Sequence, residues 1–363
     1  MLQQVNLLAL AGFDVELIYM SSDDLESSVI ARLFTATGLA TGIPRAQPPQ
    51  SWFASTDVVH IHNTFPAISH EWLGEVAVPK VITAHNYRAF CANGLFLRDS
   101  ARCMDCTTRG SSRAVIHGCY RNSHVKSIPI GIQQSSSRSL PQLMKGCYRV
   151  LLPGQPMEEI FNALGVANTQ VLFHPVTEKP TTSAARGPSN AWLFAGRISP
   201  EKGLVDLLGL WPSSRPLIVM GEGPDRRRAE SIATERGLAV QFLGSRSSNE
   251  VQSLMSRSRG LIFPSRALEG APLVYGEAMQ AGLPLVAAEG STLATQTMVD
   301  QTGALFTWDD PGSLNYALDL VDENHVDLVN QARVIYESRY TPDNWINSIT
   351  EIYKAAISAH GIE

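Results

Sequence analysis

Glu269 and Glu277 stand eight residues apart in the run PSRALEGAPLVYGEAMQAGLP (264–284). A Gly/Pro-containing turn carries the first, and the short helix opened by that turn carries the second. A helix N-terminus offers an anion free N–H groups and the positive end of its dipole. Carboxylates beside such a site repel phosphate and accept hydrogen bonds from hydroxyls. Upstream, in GRISPEKG (196–203), Arg197 and Lys202 are five apart across another turn that opens a helix. Two cations there suit a diphosphate, although either one alone is more often an ordinary surface charge. An anion site next to hydroxyl acceptors is the chemistry of a sugar nucleotide.

The elements that must position these residues follow from the apolar pattern. In the second half AWLFAG (191–196), PLIVMG (216–221), AVQFLG (239–244), GLIFPS (260–265) and PLVAAE (284–289) read as strands. Helical stretches separate them, around 203–210, 225–237, 248–258 and 272–281. Apolar runs without alternation suit parallel strands covered on both faces. Alternating strand and helix predicts a doubly wound α/β domain, whose ligands bind at the carboxyl ends of the strands. Four successive strand ends here carry polar or Gly-rich turns: GRISPEKG, GEGPD (221–225), FLGSR (242–246) and the Glu pair. The first half repeats the architecture with VELIYM (15–20), VVHIH (58–62), KVITAH (80–85) and RVLLP (149–153). Its strand ends carry His60, His62, Asn63 and then His85, Asn86, Tyr87, Arg88. A lone histidine at a strand end is more often structural; two successive His-Asn ends point to a binding edge. PVTEKPTTSAARGPSN (175–190) reads as an interdomain linker. The last stretch, 342–359, is helical.

At 363 residues the chain is long enough for two domains, each with its own core. A net charge of −5 gives no global case for nucleic acid. That total hides an asymmetry. Residues 86–150 hold ten Lys/Arg against Asp99 and Asp105, a net of +8, which leaves −13 for the rest. A solvated basic face is one reading, and an anionic acceptor or membrane surface is the other. No run of 18 apolar residues suits a membrane span, and the N-terminus lacks the basic segment of a signal peptide. The expected location is therefore cytoplasmic, with peripheral contact at the inner face of the membrane. All five cysteines lie between 91 and 147, four of them spaced Cys91-x11-Cys103-x2-Cys106-x12-Cys119. The inner pair suits tetrahedral zinc, with His117 as a spare ligand; the other reading is a loop with free or redox-labile thiols.

Taken together, AGRISPEKG, GEGP, FLG, PSRALEGAPLVYGEAMQAGLPLV, DVVHIHNTFP (57–66), ITAHNYR (82–88) and the Cys-x2-Cys insert resemble the family-4 retaining glycosyltransferases. The resemblance covers nearly the whole chain and is specific for the family, not for one substrate. It implies the GT-B fold, two Rossmann-like doubly wound domains facing a cleft. Residues 1–178 would be the acceptor-side domain with the Cys-containing insert 86–127. Residues 179–341 would bind the nucleotide sugar, and 342–363 would form a helix crossing back. It also implies roles. Arg197 and Lys202 would hold the donor diphosphate, and Glu277 the ribose hydroxyls. Glu269 would hold the hydroxyls of the transferred sugar, and His85 would reach that sugar near its C6 hydroxyl. Backbone N–H groups of Gly270, Ala271, Leu273 and Val274 would complete the cradle, with Gly223 and Arg246 on the nucleotide side. Family members usually begin with a strand and a Gly-rich loop that this sequence does not show. That departure is expected to reflect an upstream start, a truncated gene model or a repurposed relative.

The reading that follows is a retaining, metal-independent hexosyltransferase. It would act on a nucleotide-diphosphate sugar and a cell-surface glycan or lipid-linked acceptor. Two alternatives stay open at this point: a sugar-nucleotide epimerase of the same fold, and a non-catalytic sugar-nucleotide-binding protein.

Overall fold

The structure, a computed structural model, describes residues 2–18, 53, 55–62, 76–99, 101–135, 139–177, 190–270 and 272–361. Two compact units emerge. One comprises residues 1–98, 103–173 and 346–363; the other comprises 99–102 and 174–345. Most of the Pro/Ser/Thr-rich stretch near their junction, 178–189, lies outside the described residues.

The first unit opens with helix Leu2–Leu10. Its sheet runs β1 (Val59–Ile61), β2 (Lys80–Thr83), β5 (Arg149–Leu152) and β6 (Thr169–Val171), all parallel and in that spatial order. Between β2 and β5 lies a two-stranded hairpin, β3 (Leu97–Arg98) with β4 (Ala101–Arg102). The short helices Asp105–Arg109 and Ser112–Ile116 follow it, and then the longer helix His124–Ser135. The polar insert expected at 86–127 is therefore structured, but in short pieces. Four non-glycine residues with positive φ, Phe96, Asp99, Arg121 and Asn122, fall within it. The strand expected at 15–20 is not seen over 15–18, which form no ladder, and residues 19 and 20 lie outside the described set.

The second unit holds six parallel strands: β7 (Trp192–Ala195), β8 (Leu217–Met220), β9 (Val240–Gly244), β10 (Leu261–Phe263), β11 (Leu285–Ala288) and β12 (Gly303–Phe306). Their spatial order is β12-β11-β10-β7-β8-β9. The interior strands are buried residue after residue because helices connect each to the next and cover the sheet. Trp192, Phe194, Trp211, Val219, Ile262, Val286 and Phe306 join one core with Leu204, Leu207 and Leu208 of helix Leu204–Leu210. Strand β12 begins at a glycine for a steric reason. A Cβ on Gly303 would lie 1.9 Å from the carbonyl oxygen of Leu285 on the neighbouring strand.

Candidate active site

The strand order fixes where a ligand site can form in the second unit. Chain order advances from β7 outward to β8 and β9, then returns to the other side of β7 with β10. Neighbouring strands β7 and β10 thus send their following turns in opposite directions. A crevice at their carboxyl ends is the general binding place of such sheets. The turn after β7 contains Arg197 and Lys202, and the turn after β10 contains Glu269 and Gly270.

Backbone contacts lock these turns together. The Arg266 N–H donates to the Glu201 carbonyl at 2.9 Å, and the Ile198 N–H donates to the Glu222 carbonyl at 2.9 Å. Gly203 has φ 70°, and a Cβ there would stand 2.1 Å from the Pro264 carbonyl oxygen. Gly223 is equally constrained, since its Cβ would stand 2.1 Å from the carbonyl oxygen of Ile198. Only glycine lets these backbones approach so closely.

Lys202 and Glu269 meet across this crevice. The Lys202 Nζ donates to Glu269 Oε2 at 2.6 Å, and both side chains are largely buried. The other carboxylate oxygen accepts from Ser265 Oγ at 2.6 Å. Thr292 pins the backbone: its Oγ1 accepts from the Glu269 N–H at 2.7 Å and lies 2.9 Å from the Glu269 carbonyl oxygen. The sequence assigned Lys202 and Glu269 to separate tasks; in this state they satisfy each other. Ser265 and Thr292 were missed, Ser265 although it stands inside the turn that drew attention.

Helix Leu273–Ala281 begins at Pro272, with no side-chain cap. Its first-turn N–H groups, those of Leu273 and Val274 among them, have no intrahelical acceptor. Glu277 sits half-buried on the same helix. Gly276 lies in the middle of this helix because Tyr340 and Val176 press against it; an added Cβ would be 2.8 Å from each. Arg197 is exposed, and Arg246 is exposed with Glu250 at 3.6 Å. Ala271 lies outside the described residues.

His85 belongs to the first unit, where a chain of side chains surrounds it. The Nδ1 of His62 is 3.0 Å from its Nε2, and the two rings stack with centroids 5.3 Å apart. The His60 ring follows, its centroid 4.3 Å from that of His62 and its plane tilted by 32°. Its Nδ1 is 2.6 Å from the Tyr353 hydroxyl and its Nε2 is 2.7 Å from Thr83 Oγ1. Asn63 lies outside the described residues. Burial holds the imidazoles neutral, bringing His60 down to about 3 and His85 to about 4. Both values lie below the unfolded 6.5, so acid favours the unfolded chain. Stability should be full above about pH 6.5 and fall as the pH drops toward 4, by up to ~1.4 kcal/mol per pH unit per histidine. Denaturant unfolding at pH 7, 6 and 5 checks this. A His60→Asn variant whose stability falls as steeply as wild type would show that His60 is not the source.

Of the cysteines, Cys91, Cys103, Cys106 and Cys119 are free thiols. Burial and the neighbouring Cys91, Cys119 and Cys103 push the Cys106 thiol up to about 12, so it is protonated at neutral pH. Among the described residues no three His, Cys, Asp or Glu side chains are set to hold a metal ion.

Residues 176–339 match the family model described as glycosyl transferases group 1. They form a glycosyl transferases group 1 domain. An uncharacterized glycosyltransferase of Methanocaldococcus jannaschii is 29% identical over 131 residues, covering 35% of this chain and 37% of that protein. The match thus spans little more than a third of that relative. Among solved structures, sucrose-phosphate synthase from Thermosynechococcus elongatus superposes with a TM-score of 0.64 at 16% identity, covering 98% of this chain and 92% of that one. Anabaena HepE in complex with UDP and glucose gives 0.58 at 17% identity, covering 97% and 89%. At such identities the likeness is one of fold, and the fold is GT-B: two Rossmann-like α/β units. The group 1 domain contains β7 through β12, and with them the Lys202–Glu269 crevice.

Proposed function

We propose that this protein is a retaining hexosyltransferase that moves a sugar from a nucleotide-diphosphate sugar to a cell-surface glycan or lipid-linked acceptor. The observation that carries the reading is the Lys202–Glu269 pair, one cation and one carboxylate 2.6 Å apart at the switch point of the group 1 sheet. HepE, of the same fold, binds UDP and glucose, which supports a uridine-type donor as the first to test.

On this reading the donor diphosphate enters beside Lys202 and Arg197. It draws the ammonium away from Glu269 and frees the carboxylate for hydroxyls of the transferred sugar. The first-turn N–H groups of Leu273 and Val274, with that of Gly270, face the phosphates. Glu277 receives the ribose hydroxyls, and Gly223 and Arg246 border the nucleotide. Breaking the sugar–phosphate bond builds negative charge on the leaving diphosphate, which fixed cations stabilise without reorganising. The incoming hydroxyl attacks the face the diphosphate leaves, so the anomeric configuration is kept.

A donor panel read by thermal shift, then by transfer to glycan and lipid acceptors with NMR of the product anomer, tests the proposal. A nucleotide sugar that raises the melting temperature and yields a product of unchanged anomeric configuration is expected. Inverted product overturns the retaining mechanism. Binding with neither transfer nor hydrolysis overturns the enzyme reading in favour of a binding protein.

A further inference from the structure

Helix His124–Ser135 is folded inside out. It buries Ser127, Gly131 and Gln133 together with Ile130. It exposes Val125, Ile128 and Ile132, which are 74%, 43% and 48% accessible. Spacings of three and four residues put these three on a single stripe. Ile116, 55% accessible, ends the helix that packs beside it.

Local contacts enforce this orientation. Ser127 Oγ donates to the Ser123 carbonyl at 2.7 Å and accepts from the Tyr120 N–H at 3.0 Å. Ser111 Oγ donates to the Gly131 carbonyl at 2.7 Å. A Cβ on Gly131 would meet Val115 Cγ2 at 3.1 Å and the Ser111 carbonyl at 3.2 Å, so a larger residue would push these neighbours back by a few tenths of an ångström. Rotating the helix to bury Ile128 and Ile132 would break the Tyr120–Ser127 and Ser111–Gly131 hydrogen bonds and this packing. A partner that covers the stripe removes several branched aliphatic side chains from water at once.

The charge around the stripe indicates which partner. Arg109, Arg121 and Lys126 are exposed on and beside these helices. Residues 86–150 hold ten Lys/Arg and only two acids, Asp99 and Asp105, and Asp105 is engaged by His117 at 3.1 Å. Branched aliphatics beside a one-sign cationic surface fit the headgroup and upper acyl region of an anionic bilayer. A second copy of this face would bring like charges together, since a two-fold contact apposes the same patch. No helix among the described residues is long and apolar enough to cross a membrane, so contact here would be interfacial.

We propose that the face formed by Ile116, Val125, Ile128 and Ile132, rimmed by Arg109, Arg121 and Lys126, docks on the surface of an anionic lipid bilayer. Docking stands apart from the transfer reading, because its assay needs no donor or acceptor. Flotation of the full chain with vesicles containing about a third phosphatidylglycerol is compared with pure phosphatidylcholine vesicles. Binding to the first and not the second is expected, weakening when salt rises from ~0.1 to ~0.5 M. A Val125→Ser/Ile128→Ser/Ile132→Ser variant and an Arg109→Glu/Arg121→Glu/Lys126→Glu variant should each bind at least about tenfold more weakly. Their unchanged circular dichroism confirms that these exposed sites leave the fold intact. Equal binding to neutral vesicles, no binding at all, or full binding by either variant overturns the proposal. So does a wild-type dimer in light scattering that the serine variant converts to monomer, since a second copy would then cover the stripe.

Discussion

Glu269→Ala should reduce transfer by a factor on the order of 10²–10³, the usual cost of removing one positioned polar group from a reacting centre. Its affinity for a nucleotide diphosphate should stay the same or rise. The rise follows from the geometry of the resting site. Glu269 holds the Lys202 ammonium at 2.6 Å in a largely buried crevice. An entering diphosphate must therefore displace a charge-assisted hydrogen bond before it gains one. Without the carboxylate the ammonium is available from the start, and a negative neighbour of the phosphates is gone. Glu269→Gln, which keeps the hydrogen-bonding shape but loses the charge, should show the same rise with a smaller loss of rate. Lys202→Ala should behave oppositely. It removes a charged donor worth about 1.5–3 kcal/mol, roughly tenfold to a hundredfold in affinity, and leaves Glu269 facing the phosphates. Titration calorimetry with UDP and GDP, paired with initial rates, measures both quantities. Equal loss of binding in Glu269→Ala and Lys202→Ala would contradict the competition between carboxylate and phosphate.

Lys202 and Glu269 were legible in the sequence, but their pairing was not, and Ser265 and Thr292 went unread. Long apolar runs such as LVAA and WLFA announce buried parallel strands, and the turns after them announce a ligand edge. Whether the turn after β7 meets the turn after β10 depends on the strand order, which is set by contacts among residues distant in the chain. Lys202 and Glu269 are 67 residues apart, and His60 and Tyr353 are 293 apart. No local pattern encodes either meeting. Short strands escaped for a different reason. TQV in β6 is half-polar and only partly buried, and β12 opens on a glycine that its neighbour requires. The helix at 124–135 shows the limit of periodicity itself. Its isoleucine stripe signals an amphipathic helix, yet the buried side is chosen by two serines and a glycine.

Asp300→Ala should cost about 1–3 kcal/mol of stability, the penalty for leaving buried polar groups without their acceptor. Asp300 closes helix Thr292–Asp300, and its side chain is 0% exposed. Its carboxylate accepts from Arg339 Nη1 at 2.6 Å, from the Tyr275 hydroxyl at 2.8 Å and from Gln296 Nε2 at 2.5 Å. Its backbone carbonyl accepts from Gln331 Nε2 at 2.9 Å. Both carboxylate oxygens therefore accept hydrogen bonds, which is how a buried carboxylate is tolerated. Burial and the adjacent carboxylate push the Tyr275 phenol well above its ordinary range, so it stays a donor. Tyr275 is also the third residue of helix Leu273–Ala281, whose N-terminus and Glu277 belong to the proposed donor site. Removing Asp300 leaves a guanidinium and a hydroxyl without this acceptor and frees the start of that helix. The midpoint of urea unfolding should fall with little change in slope. Nucleotide affinity should fall with it, although residue 300 supplies no group to the donor. Asp300→Asn combined with Arg339→Met discriminates the causes, because it removes the charge pair but keeps an acceptor for Tyr275. Recovery of most of the lost stability by that double variant would assign the cost to the stranded cation. A single Asp300→Ala variant as stable as wild type would show that the carboxylate does not hold the helix in place.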